Sequence, residues 1–168
     1  MAVGFDKVRG YSYSEGEANF GPALAKAVKG GAHISYEILL KHSGRYIALR
    51  RLNGIPGHQP IQPTKRFPKG FLFFCHDPPR YGETVEESLK RIVKAQAGVN
   101  VVNWRNFYIE TLNYEDQGQW AIIPHFIADI DAMPKPNKEI TEVVAFEKET
   151  VPGGFAWWKR KELAKLLK

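Results

Sequence analysis

The stretch GETVEESLKRIVKAQAGV, residues 82–99, carries side chains suited to holding ions. Glu83, Glu86 and Glu87 present carboxylates, the hard oxygen donors that magnesium prefers, but Glu86 and Glu87 have salt-bridge partners in the sequence and read as a solvated face. Gln96, one helical stretch further on, presents a single uncharged carbonyl. Cations lie upstream. Arg50 and Arg51 are adjacent, and a guanidinium fork grips phosphate oxygens in pairs. Lys65, Arg66 and Lys69 border the following loop and add to the same anion field. His125, in IPHFIADI, is of the residue type best matched to taking a proton from water near neutral pH. The other histidines, His33, His42, His58 and His76, show no metal-ligand spacing, and Cys75-His76 is an isolated pair, so the sequence has no zinc signature.

Positioning these groups falls to a small set of elements. Thr84 and Glu87 form a T-x-x-E capping box, Val85, Leu89, Ile92 and Val93 repeat on one helical face, and Gly98 marks the stop. Glu86 with Lys90 and Glu87 with Arg91 are spaced as i,i+4 ion pairs. HISYEILLKHSGRYIALRRL reads as a hairpin, with strands over 34–41 and 45–52 around an HSG turn. Residues 53–70 form a long loop, rich in proline and glycine. FLFF is a short strand, CHDPPRYG a second loop, and residues 99–114, 119–130 and EVVAFEK further strands, with a turn at EDQG. Pro124 suggests an edge or a bulge. Residues 20–31 read as a short helix, residues 1–19 as a loosely ordered extension, and KRKELAKLLK as a terminal helix. Strands dominate without a βαβ rhythm, so the expected fold is α+β, a mixed β-sheet packed between α-helices, with residues 20–168 as one domain.

The helix also resembles the signature of the Nudix family. In that signature Gly-Glu is followed by seven residues, then Arg-Glu, an aliphatic residue, any residue, Glu-Glu, any residue, Gly and an aliphatic residue. Here Gly82-Glu83 leads through residues 84–90 to Arg91, Ile92, Val93, Lys94, Ala95, Gln96, Ala97, Gly98 and Val99. Arginine, aliphatic residues and glycine fall in register. The three helix glutamates are exchanged for Ile92, Ala95 and Gln96. The hairpin ending in Arg51, the FPKG turn at 67–70 and the aromatic-then-EL ending in FAWWKRKELAKLL are similar to the family's flanking elements. Gly70 to Glu83 is about seven residues longer than the family's turn, so FFCHDPPRY looks like an insertion.

Within the family the pattern is most similar to the GDP-mannose mannosyl hydrolases, which also lack the first glutamate and carry alanine at the next position. The resemblance implies a nucleoside diphosphate linked to another group, such as a sugar, as ligand. It implies Arg50, Arg51 and Lys69 as phosphate contacts, and His125 as general base. It implies magnesium as cofactor, with the Gly70 carbonyl and Gln96 as its protein ligands. One amide and one backbone carbonyl hold magnesium weakly, because the ion releases water only to oxygen ligands carrying enough charge. Asp77, Asp129, Asp131, Glu139 and Glu142 are acids that the sequence leaves unplaced. Three readings stay open: a binding module that keeps the fold, a nucleotide-sugar hydrolase with a rearranged metal site, and a protein-interaction scaffold in which the insertion covers the site.

Composition bounds the rest. The chain has 168 residues and a single cysteine, so no intrachain disulfide forms and a cytoplasmic setting is expected. No apolar run is long enough for a bilayer, and the first residues lack a signal-peptide pattern, so no membrane role is expected. The net charge of +6 suits an anionic small molecule and is spread too thinly along the sequence to indicate nucleic acid. A homodimer is compatible with all of this.

Overall fold

The computed structural model describes residues 32–55, 61–114 and 119–167. The helix expected over 20–31, the extension before it and the EDQG turn lie outside them. The ILLK run of β2 (Tyr36–His42) has no apolar–polar alternation, because both of its faces are covered. Ile38 and Leu40 face one helix layer and Leu39 the other. Ser43 and Gly44, both at positive φ, turn the chain tightly into β3 (Arg45–Arg51).

β7 (Gln119–Ile130) lies inside the sheet. It pairs in parallel with β1 (Ala32–Ile34) and then with β2, and antiparallel with β6 (Val101–Tyr114) along its other side. Pro124 is therefore at neither an edge nor a bulge of its own strand. It falls where β1 pairing ends at Ile122 and β2 pairing begins at His125, so its missing N–H costs no ladder bond there.

Past their turn, β2 and β3 diverge, and the chain after the long loop fills the gap. β4 (Phe71–Phe73) pairs with β3, and β5 (Cys75–Asp77) pairs with β2. This corrects the reading of CHDPPRYG as loop throughout: Cys75–Asp77 is a strand, while residues 78–82 lie outside the strands. Residues 73–77 are buried between strands, where their peptide groups need ladder partners. β8 (Ile140–Phe146) closes the other side of β3.

Helix α1 (Val85–Ala97) covers one face of the sheet and α2 (Arg160–Leu166) the other, giving the α+β layering expected. The α1 ends form as the sequence indicates: Thr84 and Glu87 complete the capping box, and Gly98 stops the helix at φ 74° with its N–H on the Lys94 carbonyl. Leu89, Ile92, Val93 and Ala97 pack on Ile38, Leu40, Ile47, Leu49, Phe126 and Ala128, while Val85 is only partly buried. On the opposite face Leu163, Phe155 and Val151 pack on Leu39, Ala48, Leu72 and Ile127. Among the described residues no helix is long and apolar enough to cross a membrane.

Leu89 is 0% exposed in the middle of the α1 core. Leu89→Ala should cost about 2–5 kcal/mol in urea unfolding. Val85→Ala, at the partly buried end of the same face, should cost clearly less. Equal losses for the two would show that the helix is not seated as described.

Candidate functional site

The end of β3 sends two arginines in different directions. The Arg50 side chain is 16% exposed; its Nε donates to Glu142 at 2.6 Å and its Nη1 to the Gly70 carbonyl at 3.1 Å. Gly70 must be glycine here: at φ 86°, a Cβ would lie 1.9 Å from the Arg51 carbonyl oxygen. Thr141 ties the same corner together by donating to the Lys69 carbonyl at 3.1 Å. Arg50, Lys69 and Gly70 are thus brought together, with Lys69 exposed.

Arg51 turns inward and is 1% exposed. Its Nη2 donates to the Gln96 backbone carbonyl at the C-terminal end of α1. The Glu139 carboxylate lies 3.7 Å from Nη1, while Nε and Nη1 have no hydrogen-bond acceptor. Burial lowers the Arg51 pKa from the usual arginine value, and Cys75 and Glu139 oppose that shift. Burial likewise pushes the neighbouring Cys75 thiol up to about 12.

Gln96 closes the same corner. Its Oε1 accepts from the His76 N–H at 3.0 Å and its Nε2 donates to the His76 carbonyl at 2.8 Å. The side chain is therefore a clamp on β5, at His76 rather than at Gly70. Of the other exchanged positions, Ile92 is in the core and Ala95 is exposed without a donor atom. Among the described residues no group of three or more His, Cys, Asp or Glu side chains could hold a metal ion. The donor set does not fit magnesium: the Gln96 side-chain oxygen is bonded to a peptide N–H, the Gly70 carbonyl to the Arg50 cation and the Gln96 backbone carbonyl to the Arg51 cation.

Glu83, just ahead of the α1 cap, is held in a structural network. Glu83 accepts from Arg91 Nε at 2.6 Å and Nη2 at 2.8 Å, from the Arg80 N–H at 2.8 Å and from the Ser88 hydroxyl at 2.8 Å. Arg91 also meets Asp77 at 2.9 Å and the Pro78 carbonyl at 3.0 Å. The expected Glu87–Arg91 pair is replaced by this network, because Glu87 is spent on the Thr84 cap. Glu86 does pair with Lys90, at 2.6 Å. Burial pushes the Glu83 carboxyl up, but the bonds from Arg91, Arg80 and Ser88 outweigh it and hold it at about 2. Asp77 goes the other way, burial raising its pKa despite Arg91.

His125 is on the opposite face of the sheet, beneath Trp158 in the chain leading to α2, apart from Arg51 and Gln96. It is 0% exposed. Its Nε2 lies 3.3 Å from Glu110 and its Nδ1 3.2 Å from Glu37, the latter without hydrogen-bond alignment. The Trp158 ring packs edge-on at 5.3 Å and donates its N–H to Glu37 at 2.9 Å. Sequence reasoning missed Glu37 and Glu110. The available signal was a charged residue inside the apolar run YEILLK; the register that sets Glu37 beside His125 is a long-range fact.

A mixed sheet between two helices, with β4 and β5 wedged between diverging hairpin strands, is the fold of the Nudix hydrolases. A solved MutT Nudix hydrolase from Burkholderia pseudomallei matches over 82% of this chain and 99% of its own, with a TM-score of 0.61 and 11% identity. A MutT protein from Methanosarcina mazei Go1 matches over 80% and 92%, with a TM-score of 0.55 and 18% identity. A Nudix hydrolase from Nitrosomonas europaea matches over 71% and 74%, at 0.50 and 13%. No family model and no curated protein matches the sequence. At such identities the likeness is one of fold.

Two substitutions test the corner. Gln96→Glu removes the donor to the His76 carbonyl and sets a carboxylate oxygen against it, so it should cost about 1–3 kcal/mol in urea unfolding; an unchanged midpoint would refute the clamp. Glu83→Gln should destabilise at pH 7. Because the folded-state pKa is depressed, the carboxylate's contribution is present above 4.5 and lost as pH falls toward about 2. The gap to the parent protein should therefore close over that interval in thermal melts.

Proposed function

We propose that this chain is a Nudix-fold binding protein for a nucleoside-diphosphate-linked ligand, with nucleotide sugars the first class to try. The observation that carries this reading is the exchange of carboxylates at α1 for Ile92, Ala95 and a Gln96 already bonded to His76. A diphosphate meets cations directly here, with exposed Lys69 and part-exposed Arg50 at the β3–β4 corner and the charge of Arg51 behind them. Phosphate contacts to such groups are worth about 1.5–3 kcal/mol each.

The test is calorimetric titration with GDP-mannose, ADP-ribose and the parent diphosphates, in EDTA and in magnesium, beside a product assay. The expected result is binding that survives EDTA, weakened about tenfold or more by Lys69→Ala, with product at background. Brisk magnesium-dependent turnover would overturn it. Arg51→Met should cost about 1–3 kcal/mol in urea unfolding, since it leaves the buried Gln96 carbonyl without its donor.

A second reading, a nucleotide-sugar hydrolase using His125 as base, draws support from the carboxylate of Glu110 within hydrogen-bond reach of Nε2 at 3.3 Å, which orients an imidazole. In that reading Trp158 must move to admit water to a fully buried ring. Turnover abolished by His125→Ala would establish it.

A further inference from the structure

The charge that is thinly spread in sequence is gathered by the fold. Residues 64–70 carry three cations and no acid, and residues 157–167 carry four cations and one acid. Their joint excess of six equals the +6 of the whole chain, so the remaining residues balance. The fold lays these two stretches against the same strand, β4. Leu72 donates to the Gly154 carbonyl at 2.8 Å and accepts from the Ala156 N–H at 3.1 Å, which fixes the chain leading to α2 along β4. The Phe67 ring, from the other stretch, sits against Gly154 and 5.1 Å from Phe71.

Aromatic surface is interleaved with this charge. Trp157 is 49% exposed and packs on Phe73 at 5.2 Å, so its own ring is rigidly mounted yet half in solvent. Phe67, partly exposed, has the Arg66 guanidinium 5.4 Å over its ring. Phe71 and Phe73 point the same way about two strand rises apart, roughly 6.7 Å, so the two aromatics they support are offset along the edge. Lys65, Arg66 and Lys69 flank Phe67 in sequence and Lys159, Arg160 and Lys161 follow Trp157; all six are exposed, with Lys159 3.4 Å from Glu162.

We infer that this β4 edge is a binding surface for single-stranded nucleic acid. Exposed rings mounted beside clustered cations suit a strand whose bases stack while its phosphates pair with lysine and arginine. A duplex hides the base faces that the half-exposed Trp157 ring would stack on, and a lone phosphate does not use that ring. The surface shares Lys69 with the ligand corner proposed above and adjoins the Gln96 clamp, since Trp157 packs on His76 at 5.4 Å, but the inference does not depend on the ligand proposed there.

The experiment is fluorescence anisotropy of labelled 20-nucleotide single strands, RNA and DNA, titrated with the full chain. Binding at 50 mM salt is expected, with a log–log salt slope of about −4 for six phosphate contacts. The paired reversals Lys65→Glu with Arg66→Glu, and Lys159→Glu with Lys161→Glu, should each weaken binding at least about tenfold. The same reversals at Lys90 and Lys94, on α1, should leave it unchanged. Trp157→Ala should cost about tenfold with the salt slope preserved, and Trp157→Phe should recover part of it; circular dichroism confirms that each variant is folded. No binding at 50 mM salt would overturn the inference. So would equal affinity for duplex, inorganic polyphosphate or anionic vesicles, equal loss in the α1 variant, or full affinity without the Trp157 ring.

Discussion

Arg51 carries a full positive charge to a position where its side chain is 1% exposed, and a charge so placed must find negative partners close by. It finds the Gln96 carbonyl in the last turn of α1, where unpaired carbonyls give a helix end its negative character, and Glu139 at a longer distance. Much of the surrounding architecture follows. β3 must end where its last side chain reaches that turn. Gly70 must lack a side chain, because the chain passes over the Arg51 carbonyl. With the helix carbonyl engaged by Arg51, the Gln96 side chain is turned to β5 and holds the strand in the gap between β2 and β3. A second cation brought to this corner would face a guanidinium rather than carboxylates.

The site is therefore divided by the sheet. On the α1 side stand a cation, an amide clamp and the Glu83–Arg91–Asp77 network, all engaged with other parts of the protein. On the α2 side His125 sits between two carboxylates beneath an indole. Strand alternation makes this separation unavoidable, since Phe126 faces α1 and its neighbour His125 cannot.

What was legible in the sequence was local. The capping box, the Gly98 stop and the apolar face of α1 depend on residues within a turn or two, and β7 formed over the expected 119–130. The α+β class followed from the order of such elements. What was not legible depended on distant partners. CHD reads as loop until the divergence of β2 and β3 is known. Glu87 and Arg91 have ideal spacing, yet each is claimed by a group outside the pair. Glu37 and Glu110 reach His125 from two other strands, and a net charge that looks dilute along the chain is concentrated by β4.

Cys75 adds a property of a different kind. The only thiol in the chain is buried in β5, with its pKa pushed up to about 12, so the reactive thiolate is suppressed and soluble reagents are kept away. Its alkylation rate in native buffer is thus gated by opening of the strand that Gln96 clamps. One unmodified cysteine makes the protein its own reporter of β5 release, read by mass spectrometry, and distinguishes loosening of this corner from unfolding of the whole sheet.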